Sequence, residues 1–336
     1  MKTSFEKKTN GLVALSVKIE KEELEKYIEE VFIKEKEKLQ IKGFRIGQAP
    51  EEIAKDFISQ EKIFNEAAEK AVKDSLKKVG EENGWILIDS PKVKFEEDKE
   101  GLSFKAELTL FPEVELPDYK IIAKRANEEV KEKIKKITVE EEEIKKAIEW
   151  LIEARGLEKE KELTDEIVKS MGDFKTVGDL KKSIKEGLRA EKIVREGDKN
   201  RAKIIDEILK KAKIEIPEVM VEKMREGMKS DLKKSLEGGK ISFEEYIKKY
   251  YEKEEKLDER LKEKAEKEIR AHLVIDAVYK KENIEISEEE IKEEASKILT
   301  QTSPAERKNI NTEKLYDYTF GKIKNEKVFK FLEEQE

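Results

Sequence analysis

Past residue 138 the apolar residues keep returning at three- and four-residue intervals, and that spacing constrains the fold more than any other feature of the chain. Ile144, Ala147, Ile148, Leu151 and Ile152 fall on one face of a 3.6-residue helix, as do Leu261, Ala265, Ile269, Leu273 and Ala277. Helix-start signals recur between such runs: Thr138-Val-Glu-Glu141, Thr176-Val-Gly-Asp179, Ser242-Phe-Glu-Glu245 and Ser287-Glu-Glu-Glu290, with Pro217 and Ser303-Pro304 as further starts. "IIDEILKKA" (204–212) continues the pattern, and the longest helical run expected is 257–282. No repeat of fixed period is present and the spacing drifts, which argues against one long coiled coil. Several helices of uneven length joined by short turns fit an extended helical domain.

The first 112 residues read differently. "TSFEKK" and "LVALSVKIE" are strand-like, with Thr9-Asn10-Gly11 as the turn, and Val13, Leu15, Val17 and Ile19 alternate along the second strand. A helix follows over 21–42 and stops at Gly43; a short one restarts at Pro50; a third runs over 61–83. "GWILIDSPKVKFEED" and "GLSFKAELTLFPEVEL" then read as strands joined by a charged turn that ends at Gly101. This order predicts an α+β domain, and Pro112 and Pro117 mark its boundary. The expected fold class is multidomain: residues 1–112 α+β, 113–137 a linker, and 138–336 all-α.

Composition removes several kinds of chemistry. The chain has no Cys and one His, His272, inside a helical pattern, so thiol chemistry, disulfides and the usual His-based metal sites are not expected. Carboxylates are so abundant that no pair stands out as a general acid and base. The nearest glycine pair, Gly238-Gly239, reads as a turn between helices and not as a phosphate cradle. No cofactor is expected. The 73 basic and 80 acidic residues are interspersed, which argues against sequence-specific nucleic-acid binding. No apolar stretch approaches membrane-spanning length, and the N-terminus does not read as a secretory signal, so a cytoplasmic protein is expected.

Two features stand apart. Met220, Met224 and Met228 recur every four residues, and Phe243, Tyr246, Tyr250 and Tyr251 follow nearby. Either set reads as packed helical core, the more so for the methionines, or as an adaptable contact surface. The second feature is "KGFRIGQAP", residues 42–50, where Phe44, Arg45 and Ile46 sit between Gly43 and Gly47 and Pro50 closes the stretch. It reads either as a tight connection with Phe44 tucked inward, or as a docking loop that offers an aromatic and a guanidinium to a partner.

"GFRIGQAP" resembles the G-F-R-x-G-x-x-P signature of trigger factor, the bacterial ribosome-associated chaperone family, with Gly43, Phe44, Arg45, Gly47 and Pro50 in place. "PEVELPDYK", "ELTDEIVKSMGDFKTVGDLKKSI" (162–184), "IEIPEVMVEKMREGM" and "NIEISEEEIKEEASKI" resemble later segments of that family, so the resemblance covers most of the chain. It implies an N-terminal ribosome-binding domain and an elongated helical chaperone domain with arms, related to periplasmic SurA-like holdases. It implies docking at the exit tunnel of the large ribosomal subunit through Gly43, Phe44, Arg45, Ile46, Gly47 and Pro50. It further implies ATP-independent shielding of nascent polypeptides, with Met220, Met224, Met228, Phe243, Tyr246 and Tyr250 as candidate client contacts, and a homodimer off the ribosome. The family's FKBP-like prolyl isomerase domain is expected to be missing: "ARGLEKEKELTDE" leaves only a few residues where such a domain needs on the order of 100. No catalytic residue is therefore expected. The alternatives are an isomerase with a reduced module and a ribosome-independent helical holdase. The signature is departed from at Ile46, where many relatives have a basic residue or proline, and Gln48 is neutral, which leaves Arg45 and Lys42 as the loop's charge.

Overall fold

The structure, a computed structural model, describes residues 1–96, 101–156, 163–239, 241–303, 307 and 310–336. The charged turn expected before Gly101, the centre of "ARGLEKEKELTDE" and Pro304 of the Ser303-Pro304 start lie outside the described residues.

The chain opens with a hairpin, β1 (Lys2–Lys7) and β2 (Leu12–Glu20). Its turn places Asn10 and Gly11 at φ of 59° and 69°, a left-handed pair that suits Asn-Gly and matches strand twist. The helices α1 (Lys21–Lys38), α2 (Glu51–Phe57) and α3 (Gln60–Asn83) follow, then β3 (Lys92–Glu96) and β4 (Gly101–Thr109). All neighbours in the sheet are antiparallel, in the order β1-β2-β4-β3. The register sets Val13, Leu15, Val17 and Ile19 opposite Leu108, Ala106, Phe104 and Leu102, so eight apolar side chains share one face. That face packs with Leu24 of α1 and with Ala68, Ala71, Val72 and Val79 of α3. A second cluster, Val31, Phe32, Ala54, Ile58, Ile63 and Ala67, joins α1, α2 and α3 beyond the sheet.

The helical remainder comprises α4 (Tyr119–Lys135), α5 (Glu141–Ala154), α6 (Asp165–Met171), α7 (Val177–Lys211), α8 (Glu218–Gly238), α9 (Phe243–Tyr250), α10 (Glu254–Lys281), α11 (Glu288–Gln301) and α12 (Thr312–Glu333). The chain forms two compact units, Met1–Val114 with Ile214–Arg270, and Glu115–Lys213 with Ala271–Glu336. In the first unit the entry to α8 is tied to the hairpin. The Asn10 amide donates to Glu215 at 2.9 Å, and Lys223 donates to Asp89 at 3.0 Å. In the second unit α4 lies along α7, and Ile152, Val168 and Leu180 form a small core of α5, α6 and α7.

Several local expectations are corrected. Residues 113–137 are not a linker: Asp118 caps α4, which buries Tyr119, Ile122, Ala123 and Ala126. Helix α1 ends at Lys38, four residues short, because Leu39 turns extended and Gly43 sits inside the following loop. The cap of α5 is Glu140 with Glu143, two residues later than the Thr138 box. "IIDEILKKA" is the end of a 35-residue α7, longer than α10. Around "GWILID" only Leu87 makes an isolated bridge, to Leu110. Starts at Thr176, Pro217, Ser242 and Ser287 fall where the sequence sets them.

The end of α12 is held by a buried amide. Asn127 Nδ2 donates to the carbonyls of Leu332, Glu333 and Gln335 at 2.9, 3.1 and 3.1 Å, and Asn200 Nδ2 donates to Asn127 Oδ1 at 2.9 Å. Arg201 adds a two-point contact to Glu333 at 2.6 and 3.1 Å. Helix C-termini leave carbonyls without intrahelical donors, and here one side chain supplies them. Asn127→Ala should lower stability by about 2–4 kcal/mol, since it removes three bonds to the end of α12, strands the buried Asn200 amide and leaves a hole. The urea midpoint followed by far-ultraviolet circular dichroism checks this, and Arg125→Ala, an exposed neighbour on the same helix, should stay within about 0.5 kcal/mol of wild type.

Candidate functional site

The stretch between α1 and α2 is a loop fixed at both ends. Ile41 and Ala49 are buried, and between them Lys42 to Ile46 and Gln48 are exposed. Two tight turns fold it: the Phe44 amide donates to the Ile41 carbonyl at 3.1 Å, and the Gln48 amide donates to the Arg45 carbonyl at 2.9 Å. A third bond, Gly47 N–H to the Leu39 carbonyl at 3.1 Å, returns the loop to the end of α1. Pro50 then caps α2, where its missing N–H costs nothing.

The two glycines do different work. Gly43 has φ +99° and open space where a Cβ would stand. Gly47 has φ +78°, and a Cβ there would lie 2.8 Å from the Glu37 carbonyl oxygen and 3.2 Å from its Cα. Gly47 is thus required by conformation and by close approach together.

Phe44 is 39% exposed and Ile46 57%, so neither is tucked into the domain. Arg45 is exposed as well, and no ion-pair partner is seen for it among the described residues. The structure brings Gly43, Phe44, Arg45, Ile46, Gly47 and Pro50 together on one exposed tip. Beside them α2 exposes Ile53 and Phe57, the latter at 62%. Neither residue stands out in the sequence. Their signal was a seven-residue helix too short to bury both Ile53 and Phe57 behind Ala54.

The second candidate set lies on α8 and α9 of the same unit. Met220, Met224 and Met228 are all half-buried, neither core nor free surface. Glu218, Glu222, Arg225 and Lys229 of α8 form a separate stripe that pairs with α10: Lys229 donates to both Asp258 oxygens at 2.7 and 2.9 Å, and Lys262 reaches Glu218 at 3.1 Å. Burial pulls the Lys229 ammonium down, but its bonds with Asp258 and Glu254 outweigh that and leave its pKa raised. On α9, Tyr246 packs at a tilt against Tyr250 and Tyr251 at centroid distances of 4.9 and 5.9 Å, and the Lys233 ammonium lies 4.7 Å from the Phe243 ring centre. Burial and the hydrogen bond with Tyr251 raise the Tyr246 phenol. Tyr250 is the exposed member; Phe243 and Tyr246 are half-buried.

Among the described residues no group of three or more His, Asp or Glu is placed to hold a metal ion. Among the described residues no helix is long and apolar enough to cross a membrane. His272 is exposed on α10.

Comparison with known proteins gives the loop its context. Residues 1–151 match the family model for bacterial trigger factor protein, and residues 176–334 match the model for the trigger factor C-terminus. No isomerase-domain model matches between them. The chain is 25% identical to the trigger factor of Desulforamulus reducens, with 99% of this chain and 98% of that protein covered. The trigger factor of Clostridium tetani is 28% identical, with 91% of each covered. The alignment with the Desulforamulus protein runs over 426 positions, more than the 336 residues here, so that relative carries stretches without a counterpart. A solved structure of the trigger factor chaperone, described for promiscuous substrate recognition in folding and assembly, matches with a TM-score of 0.63 at 19% identity over the whole of both chains. A small N-terminal sheet, a long helical remainder and a G-F-R-x-G-x-x-P loop thus agree with two family models that between them take in both ends of the chain, and this protein belongs to the trigger factor family.

Proposed function

We propose that this protein is a chaperone of the cytoplasm that docks on the large ribosomal subunit at the exit tunnel through the 43–50 loop and shields emerging polypeptides without ATP. The observation that carries the reading is the exposure of Phe44, Arg45 and Ile46 on a loop whose two ends are buried. A loop that existed only to connect α1 and α2 gains nothing by holding an aromatic and two further large side chains in water. Phe44 supplies a side chain to fill a pocket, Arg45 a guanidinium for a carboxylate, phosphate or carbonyl, and Gly47 the shape that aims them. Ile46 adds an apolar contact where many relatives of the family would have a basic residue or proline.

Client contact falls to partly covered apolar side chains. Met220, Met224 and Met228 and the tyrosines of α9 keep enough surface in water to bind an unfolded segment, and enough burial to keep their own helices packed. Such sites bind weakly and exchange quickly, so release needs no nucleotide. The trigger factor relatives carry additional sequence, and no catalytic prolyl isomerase function is assigned to this chain.

Phe44→Ala with Arg45→Ala should cut co-sedimentation with ribosomes at least tenfold, at about 1 kcal/mol or more for each contact. Equal pelleting of the variant and wild type would defeat the docking reading. Gly47→Ala removes no contacting side chain, yet it should weaken pelleting severalfold, with a smaller loss for Gly43→Ala, because only Gly47 meets the Glu37 backbone. A triple Met220→Ser, Met224→Ser, Met228→Ser variant should lose at least half of the suppression of aggregation of a refolding client, read by light scattering, while ribosome pelleting is unchanged. In a proline-containing tetrapeptide assay the protein should match the uncatalysed rate; turnover above it would restore the isomerase alternative.

A further inference from the structure

The first unit carries an apolar groove that neither the docking loop nor the α8–α9 side chains account for. Its floor is Phe32 of α1 and Ile63 of α3, both buried, and its rim is Ile33 and Phe64, which stand 47% and 43% exposed. The cavity measures about 530 Å3, within the roughly 300–1,000 Å3 typical of ligand sites. Apolar side chains line most of it, but Glu29 and Glu51 stand at its margin. Neither carboxylate forms an ion pair among the described residues, and the one lysine alongside, Lys55, lies 5.9 Å from the Phe32 ring centre.

The walls decide what kind of chain the groove accepts. Helices α1, α2 and α3 supply every lining residue, and no strand edge borders it. The backbone amides behind Phe32, Ile33 and Ile63 are bonded within their own helices or, for Ile63, to the Ser59 carbonyl at 3.1 Å. An extended segment laid here would face apolar side chains with its own amides unpaired, at about 1–3 kcal/mol for each one buried. A helix satisfies its amides internally and can press an apolar stripe into a groove between two helices. Basic residues beside that stripe would meet Glu29 and Glu51, while acidic ones would be repelled.

We propose that this groove takes a short amphipathic helix, apolar on one face and flanked by Lys or Arg, presented by a client polypeptide. The proposal rests on the chaperone reading above and adds to it a client site on the N-terminal helices with a preference for helical, basic segments. It differs from the α8–α9 contacts in both chemistry and place in the chain.

The test uses the full chain and fluorescence anisotropy with three labelled peptides. One carries Leu, Phe and Arg at helical spacing; a second has two central residues replaced by Pro; a third has Glu in place of Arg. Wild-type protein should bind the first peptide at least about tenfold more tightly than either of the others. Ile33→Ser with Phe64→Ser should weaken the first peptide by about tenfold, with Ile33→Ser alone, an exposed position, giving a severalfold loss if the double variant unfolds. Glu29→Lys with Glu51→Lys should reverse the preference between the Arg and Glu peptides. Full affinity in a folded Ile33→Ser, Phe64→Ser variant would overturn the proposal, and so would equal binding of the Pro-substituted peptide. Loss of self-association in sedimentation velocity with peptide affinity intact would also overturn it and make the groove a contact between copies. If the protein suppresses client aggregation but the rim variants bind the peptide normally, the groove assignment fails and the chaperone reading stands. If the peptide results hold but aggregation is not suppressed, the groove stands and the chaperone reading fails.

Discussion

The N-terminal half depends on a single ladder, the nine-residue antiparallel register between β2 and β4. It puts Val13, Leu15, Val17 and Ile19 beside Leu108, Ala106, Phe104 and Leu102, and a slip of one residue would turn the four of the slipped strand to solvent. That face fixes α3, whose Ala67, Ala68 and Ala71 are small enough to lie close against their neighbours. Helix α3 in turn fixes α1, because Phe32 and Val31 pack with Ile63 and Ala67 in the second cluster. The 43–50 loop springs from the end of α1 and returns to it through Gly47, so its exposed tip inherits its position from a sheet several elements away.

In the helical unit around α7 the organising interaction is polar. Nearly half of the residues in the chain are charged, and most of its ion pairs are exposed and worth little individually. What is specific there is buried: Asn127, Asn200 and the last carbonyls of α12, with Val328 and Leu332 fully covered beside them. An apolar contact tolerates sliding, whereas a side-chain amide bonded to three carbonyls does not. Tyr119 shows the same principle at the start of α4. Its hydroxyl donates to Glu282, Lys281 lies over its ring, and burial first, then the Glu282 carboxylate, holds its phenol well above the usual range.

What could be read from the sequence follows from the range of each signal. The alternation of β2 and β4, the Asn10-Gly11 turn and the starts at Thr176, Ser242 and Ser287 are local, and all appear as read. The errors fall where tertiary packing overrides local pattern. Pro112 and Pro117 make 113–137 look like a linker, but α4 lies along α7 and buries Tyr119, Ile122 and Ala126, and proximity in sequence gives no sign of that. Leu39 and Ile41 extend the apolar period of α1, yet Leu39 is spent on leaving the helix and Ile41 on anchoring the loop. The loop residues were legible as a motif, and their exposure was not: a Phe between two glycines packs inward or outward according to what space its own domain leaves. The groove was invisible for the same reason, since Ile33 and Phe64 each look like one more residue of a helical period.

Exposed apolar surface is the common thread of the proposed activities, and its distribution bears on how they coexist. Full burial of a Phe or Ile side chain contributes about 1.5–3 kcal/mol. Phe44, Ile33, Phe64 and Tyr250 are each already partly covered, so each keeps only a fraction of that for a partner. A client held by one such residue leaves at once, and one held by several leaves as soon as folding withdraws its own apolar side chains. The loop escapes this limit because it adds Arg45, whose contacts with an ordered partner do not weaken as a client folds. In this reading, ribosome attachment and client release are separated by chemistry: a guanidinium on a rigid tip for the one, half-covered apolar side chains for the other. That separation would need no moving part, and under it a single change at Gly47 disturbs the proposed docking while leaving the proposed client contacts of α8 in place.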